Sequence, residues 1–280
     1  MALENNEVLY EVSDGIATLT LNRPEKLNAW TGQMELEYRA ALAEAEQSSE
    51  VSVIILTGAG RGFCSGADMA GLQSTADAGG SSGGGAKVEK VQPGPGNGVR
   101  DDYKRNYSFA PSVRKPIIAA INGAAAGLGL VTALYCDMRF ASDKAKFTTA
   151  FAQRGLIAEH GLSWLLPRLV GMHNALDLTL SARVISAQEA LEMGLVGKVF
   201  PADEFMESVR DYATQLATFS SPRAMMVSKR LLWDAQFMGL GEAIDVANEE
   251  MVESLKTPDF KEGVAWFVEK RSPKWPELKL

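Results

Sequence analysis

The hydrophobic pattern opens with alternation. In EVLYEVSDGIATLTLNRP, apolar and polar residues take turns on either side of Asp14-Gly15, a dipeptide suited to tight turns, which predicts two paired strands over residues 7–22 with Pro24 ending the second. Thr31 stands as an N-cap before Met34, Leu36, Tyr38, Ala41, Leu42 and Ala45, whose spacing predicts a helix to about Glu46. VSVIILTG is an unbroken β-branched run, the pattern of a strand buried on both faces. KPIIAAING, GLGLVTALYC and DMRFAS repeat the order strand, helix, strand, so the chain reads as α/β. From Ser186 onward the pattern is helical: SAQEALEMG carries a Ser cap and a Gly stop, and apolar periods run through 203–219, 222–238 and 241–255. The expected organisation is a core over 1–200 and a C-terminal helical region over 201–280.

Residues 74–99 interrupt this pattern with Gly, Ser and Pro, a composition that cannot bury enough apolar surface to offset the entropy of ordering. They are expected to form a flexible loop. RDDYKRNYSF follows, with aromatics at helical spacing, which favours a loop that walls a pocket over an inert insertion.

Composition narrows the function classes. A chain of 280 residues, 46% hydrophobic and 22% charged, is long enough to bury an active site. Its net charge of −7 provides no basic field for nucleic acid. Cys64 and Cys136 lie far apart and only two histidines exist, so neither a disulfide framework nor a metal cluster is expected, and buried free thiols are. MALENNEVLY has no basic, apolar leader and no segment reads as a membrane span, which makes the expected location cytoplasmic.

Two glycine-rich turns carry the chemistry. GLGLVT puts Thr132 where a dinucleotide fingerprint needs its third glycine, GAGRGFCSGAD lacks the Gly-Lys-Ser/Thr of a phosphate loop, and Phe63 removes the first glycine of a serine nucleophile elbow at Ser65. What VIILTGAGRGFCSGAD and IIAAINGAAAGLGL share is a strand running into a glycine turn and then a helix start. N–H groups at a helix start are unpaired, so two such turns facing each other could aim two donors at one oxygen. Taken singly, each turn reads better as a tight connection that its glycines permit.

With NRPEKLNAW, ARVISAQEALEMGLVGKVFP and GVAWFVEKRSPKW, these turns resemble the crotonase superfamily, the enoyl-CoA hydratase and isomerase family, from about Val8 to the C-terminus. The resemblance implies a spiral α/β core of ββα units, a C-terminal helical region that makes a homotrimer or a dimer of trimers, and an acyl-CoA thioester substrate. No cofactor is implied beyond the coenzyme A of that substrate. It implies thioester enolate stabilisation by the N–H groups of Ala67 and Leu128. It places Lys26, Leu27 and Ala29 along the coenzyme A channel, Ser65, Gly66 and Asp68 near the adenine end, and Phe267 and Lys270 toward a neighbouring subunit's ligand. A lysine common in the family is Ala70 here, leaving Arg61, Lys26 or Lys270 for the phosphates. The two hydratase glutamates are replaced by Val131 and Phe151, and the acid that remains is Glu159 of RGLIAEHG, the expected acid/base. His160 beside it is expected to be solvated or structural; Asp68, Asp137 and Asp143 are expected to make structural bonds; and Tyr103, Tyr107 and Trp164 could shape an acyl pocket. The implied reaction is hydration or double-bond isomerisation; the alternatives are a thioester hydrolase or dehalogenase-like enzyme with Glu159 as nucleophile, and an acyl-CoA binder without catalysis.

Overall fold

A computed structural model describes residues 6–79 and 99–277. The alternating N-terminal segment forms β1 (Val8–Ser13) and β2 (Ile16–Leu21), antiparallel about the Asp14-Gly15 turn. Thr31 caps α1 (Gly32–Gln47) by accepting the Met34 N–H at 3.0 Å. There follow β3 (Val53–Gly58), β4 (Gly62–Cys64), α2 (Met69–Asp77), β5 (Ile117–Ile121), β6 (Ala124–Ala126), α3 (Leu128–Leu134), β7 (Met138–Ser142) and β8 (Lys146–Thr148). Next come α4 (Leu162–Ser181), β9 (Ile185–Ser186), α5 (Ala187–Glu192) and β10 (Lys198–Phe200), then α6 (Phe205–Phe219), α7 (Pro222–Asp234), α8 (Leu240–Ser254) and α9 (Pro258–Glu269). Gly171, at φ 75°, breaks α4 into two segments.

Among the described residues the strands form two sheets, one ordered β1-β2-β3-β5-β7-β10 and a smaller one ordered β4-β6-β8-β9. From β2 to β10 the larger sheet is parallel, which explains why β3 and β5 are buried at every residue. One face of that sheet meets α6, whose Phe205, Val209 and Ala213 pack on Ile16, Val53, Ile55, Ile118 and Phe140. The other apolar cluster lies among Leu19, Leu21, Leu56, Ile117, Tyr38, Leu42 and Leu134, between the sheet and α1 and α3. Each Leu, Ile, Val or Phe side chain so buried contributes about 1.5–3 kcal/mol.

Part of the expected loop over 74–99 is not loop. Residues 74–77 complete α2, which the Asp68 carboxylate starts by accepting the Ala70 N–H at 3.0 Å; a polar cap outweighs a Gly/Ser-rich composition at this helix start. The remainder of that expectation, from residue 80 to 98, lies outside the described residues. RDDYKRNYSF forms only a 3₁₀ turn over Asp101–Lys104. No described helix is long and apolar enough to cross a membrane.

Candidate active site

The short sheet sets the site. β4 and β6 are parallel neighbours, with Gly62 opposite Ala124 and Cys64 opposite Ala125, so the chain leaves both strands at the same end and the two glycine turns lie side by side. Gly66 adopts φ 100°, and a Cβ there would stand 3.0 Å from the Ala126 carbonyl oxygen and 3.7 Å from the Leu128 nitrogen. Only glycine fits this approach. The N–H groups of Ala67 and Leu128 donate to no acceptor among the described residues: the first lies between two strap bonds, and the second is the first amide of α3.

NRPEKLNAW is the strap. Trp30 donates its N–H to the Gly66 carbonyl at 2.7 Å and accepts the Asp68 N–H at 3.0 Å, while Ser65 donates its N–H to the Leu27 carbonyl at 3.0 Å. Buried Asn28 holds the bend together, its amide nitrogen donating to the Gly62 carbonyl at 2.8 Å and to the Ala59 carbonyl at 3.0 Å. Arg23 donates to the Ala29 carbonyl at 2.7 Å and pairs with Asp68 at 3.0 Å, which holds the Asp68 carboxyl below the usual carboxylate range.

These turns open on a cavity of about 670 Å³ lined by Lys26, Ala29, Ser65, Gly66, Ala67, Asp68, Leu128 and Glu159, and also by Asn106, Tyr107, Arg154 and His160. Glu159 lies in the turn before α4. Its neighbour His160, in the left-handed region at φ 56°, brings Nε2 to 3.5 Å from Glu159 Oε1. Of the two expectations for His160, solvated or structural, the second describes it, and its contact with the acid has a local cause: two residues next to each other on a helix point apart, but these two precede the helix, and the left-handed backbone turns the imidazole toward the carboxylate. Tyr135 donates its hydroxyl to the His160 carbonyl at 3.0 Å, and the Tyr107 ring meets the imidazole edge-on at 4.5 Å.

Burial lowers the His160 pKa, against the opposing pull of Glu159 and Glu35. Burial also raises the Tyr107 phenol, with Glu35 and Glu159 adding to the shift. Glu35 is itself buried and paired to Arg39 at 2.9 Å. Cys64 is fully buried and its thiol is pushed up to about 12, so it stands beside the turn as packing rather than as a nucleophile. Among the described residues no three His, Cys, Asp or Glu side chains gather as metal ligands.

The family model described as enoyl-CoA hydratase/isomerase matches residues 11–278. The chain belongs to the enoyl-CoA hydratase/isomerase family. It is 33% identical over 270 residues to the 1,2-epoxyphenylacetyl-CoA isomerase of Escherichia coli, covering 96% of this chain and 97% of that protein. It is 37% identical to a probable enoyl-CoA hydratase of Rhodobacter capsulatus, covering 95% and 96%. Among solved structures, a probable enoyl-CoA hydratase/isomerase from Mycobacterium abscessus superposes with a TM-score of 0.83 at 31% identity, covering 97% of this chain and 99% of that one. The parallel sheets followed by a helical C-terminal region are thus the crotonase fold.

Against the residues that the enoyl-CoA hydratase/isomerase family resemblance named, the cavity collects most and omits some. Leu27 contributes its carbonyl to the strap but does not line the cavity; its left-handed backbone, φ 50°, sends the side chain toward Gly62. Phe267 and Lys270 lie at the end of α9, with the Lys270 ammonium 4.6 Å over the Phe267 ring, and neither lines this chain's own cavity. Of the cations considered for the phosphates, Lys26 lines the cavity and Arg61 does not. Arg154 does, and sequence reasoning missed it along with Asn106; the Arg-Gly pair of FAQRG, which forms a turn ended by Gly155, was its signal. Val131 and Phe151, the positions of the hydratase glutamates, are buried and apolar. Asp137 is structural, accepting the Ile117 N–H and the Trp233 indole N–H, each at 2.7 Å, and pairing with Lys229 at 2.7 Å.

Proposed function

We propose that the protein isomerises an enoyl-CoA thioester through an enolate, with Glu159 carrying the proton. The observation behind this reading is the carboxylate inventory of the cavity. Of the described residues that line it only Asp68 and Glu159 are acidic, and Asp68 is engaged by Arg23 and by the start of α2. Two carboxylates hold and activate the water in hydration, whereas one suffices to move a proton between carbons.

In this reading the thioester carbonyl accepts from the Ala67 and Leu128 N–H groups. The Glu159 carboxylate removes a proton from the acyl chain, and the C–H electron pair moves through the acyl carbons to the thioester oxygen as an enolate. The same carboxyl returns the proton at another carbon, so the double bond shifts and nothing is consumed. His160, whose pKa burial lowers, stands 3.5 Å from Glu159 and orients its carboxylate. Lys26 and Arg154, the two cations among the described residues that line the cavity, are the partners we propose for the phosphates of coenzyme A.

The assembly proposed is a homotrimer or a dimer of trimers. Leu240, Val264, Phe267 and Val268 of α8 and α9 and Leu180 of α4 are exposed, a load of apolar surface that a monomer would leave in water.

Glu159→Gln tests the mechanism. It should preserve thioester affinity and lower kcat by about 10²-fold or more, and solvent deuterium should no longer enter the substrate. Turnover by Glu159→Gln at the wild-type rate would remove Glu159 from the chemistry, and stable incorporation of labelled water at the β-carbon would make the reaction hydration.

A further inference from the structure

We infer that the acyl group taken by this site ends in an aromatic ring, which lodges in a second cavity of about 300 Å³ beyond His160. The inference rests on the thioester reading above and adds the class of acyl group. The two cavities share Asn106 and His160 as lining residues, so they lie on either side of the His160 turn. In this proposal an acyl chain whose carbonyl is held at Ala67 and Leu128 runs past Glu159 and over the Asn106 and His160 boundary into this space.

The walls of the second cavity are rings: Tyr103, Tyr135, Trp164, Trp233 and Phe237. They are locked to one another before any ligand arrives. Trp164 and Phe237 stack at 5.0 Å and 14°, and Tyr103 meets Trp233 and Phe237 edge-on, each at 6.2 Å. Arg168 lies 4.0 Å over Trp164 and Arg100 4.2 Å over Phe237; rings 5.0 Å apart leave no room for a guanidinium between them, so each cation caps an outer face of the stack. The Trp233 indole N–H is fixed on Asp137 and the Tyr135 hydroxyl on the His160 carbonyl.

Such walls favour a flat guest over a flexible one. A ring entering this array makes edge-to-face or offset contacts worth about two- to tenfold in Kd for each pair, beyond the area it buries. A phenyl ring has few rotors to freeze, whereas an alkyl chain loses freedom at each bond while gaining only the area. The space is adequate: an apolar cavity of about 150 Å³ accepts benzene, and this one is larger. Asp102, Arg105 and Asn106 also line it, and Asn106 is shared with the first cavity.

Calorimetric titration of the whole protein with phenylacetyl-CoA, hexanoyl-CoA and free coenzyme A tests this without requiring turnover. The expected result is phenylacetyl-CoA binding at least about fivefold more tightly than hexanoyl-CoA, with that ratio falling to near one in Phe237→Leu and in Trp164→Leu. Phe237 sits in a half-exposed turn, so its replacement keeps the fold, which circular dichroism checks. Equal affinities in the wild type, or a preference untouched by both variants, would overturn the aromatic assignment while leaving the thioester reading in place. If neither thioester binds more tightly than free coenzyme A, the acyl-thioester reading falls and the aromatic assignment falls with it.

Discussion

Gly129→Ala adds one methyl group to α3 at the point where that helix touches β4. Its Cβ would stand 2.7 Å from the Cys64 Cβ and 2.8 Å from the Cys64 carbonyl carbon, and closer still to the carbonyl oxygen. Carbon atoms pack at about 3.5–4.0 Å, so α3 must retreat by roughly 0.8 Å or more. Cys64 is fully buried and cannot swing aside. The retreat is borne by the first turn of α3, whose first amide is Leu128, while Ala67 is held by the Trp30 strap and stays. In the proposed mechanism two donors must both sit about 2.7–3.1 Å from one oxygen, which this retreat prevents, and losing one such donor costs about 10²–10³ in kcat. Overpacking adds a stability cost of about 1–3 kcal/mol. The assay is therefore paired: kcat on an enoyl-CoA thioester at 25 °C, and the melting midpoint by circular dichroism. The matched control is Gly71→Ala in α2, where nothing lies within 4 Å of the new Cβ; it should hold activity and gain stability by about 0.5–1 kcal/mol. If Gly129→Ala keeps kcat within about threefold of wild type, the facing-donor geometry is not what stabilises the reaction's charge.

Three further outcomes follow from other parts of the molecule. Because burial holds the His160 pKa below its ordinary value of about 6.5, the folded state favours the neutral imidazole, and the stability this brings is present above pH ~6.5 and lost as pH falls through the folded value. The melting midpoint should thus drop less between pH ~7.5 and ~5 in His160→Asn than in the wild type, and parallel curves would refute the assignment. Asp137→Ala strands the Lys229 ammonium in the interior and unties α7 from β5, so urea unfolding should record a loss of roughly 3–5 kcal/mol; a change under about 1 kcal/mol would mean the pair is solvated. Sedimentation at micromolar concentration should give a trimer or hexamer, and Phe267→Glu with Val268→Glu should shift it toward monomer; a stable wild-type monomer would contradict the proposed assembly.

The sequence was most legible where the pattern is long. β1, β2, β3 and β5 are five or six residues each, enough for alternation or a continuous apolar run to stand out, and α1 and α5 announce themselves through Thr31 and Ser186, which cap them as read. The smaller sheet was illegible for the opposite reason. Its strands β4, β6, β8 and β9 have three, three, three and two residues, too short for any period, and AAA in β6 carries no strand preference. Yet that sheet aligns the two turns. The start of α2 was legible after GAGRGFCSGAD, but its last turn was masked by the Gly/Ser-rich composition that begins at residue 74, and α9 carries exposed Phe260, Val264, Phe267 and Val268 at i, i+4, i+7 and i+8, one apolar stripe left facing water.

The chemistry divides along the same line between what one residue type dictates and what a backbone angle decides. Gly66 and Gly129 were readable because a glycine turn in sequence is the trace of an atom that cannot fit, and in both places another part of the backbone fills the space a Cβ would need. Glu159 is different: nothing in LIAEHG separates a cavity carboxylate from one that merely precedes a helix, and its assignment came from resemblance. What gives it context is the left-handed turn at His160 and Gly161, φ 56° and 82°, which delays the helix to Leu162 and folds the imidazole back onto the acid. A left-handed histidine is uncommon enough that sequence gives it no weight. The surrounding Tyr135, Tyr107 and buried Glu35 come from three distant segments, so the environment of His160, and with it the contact to Glu159, exists only after the core has closed.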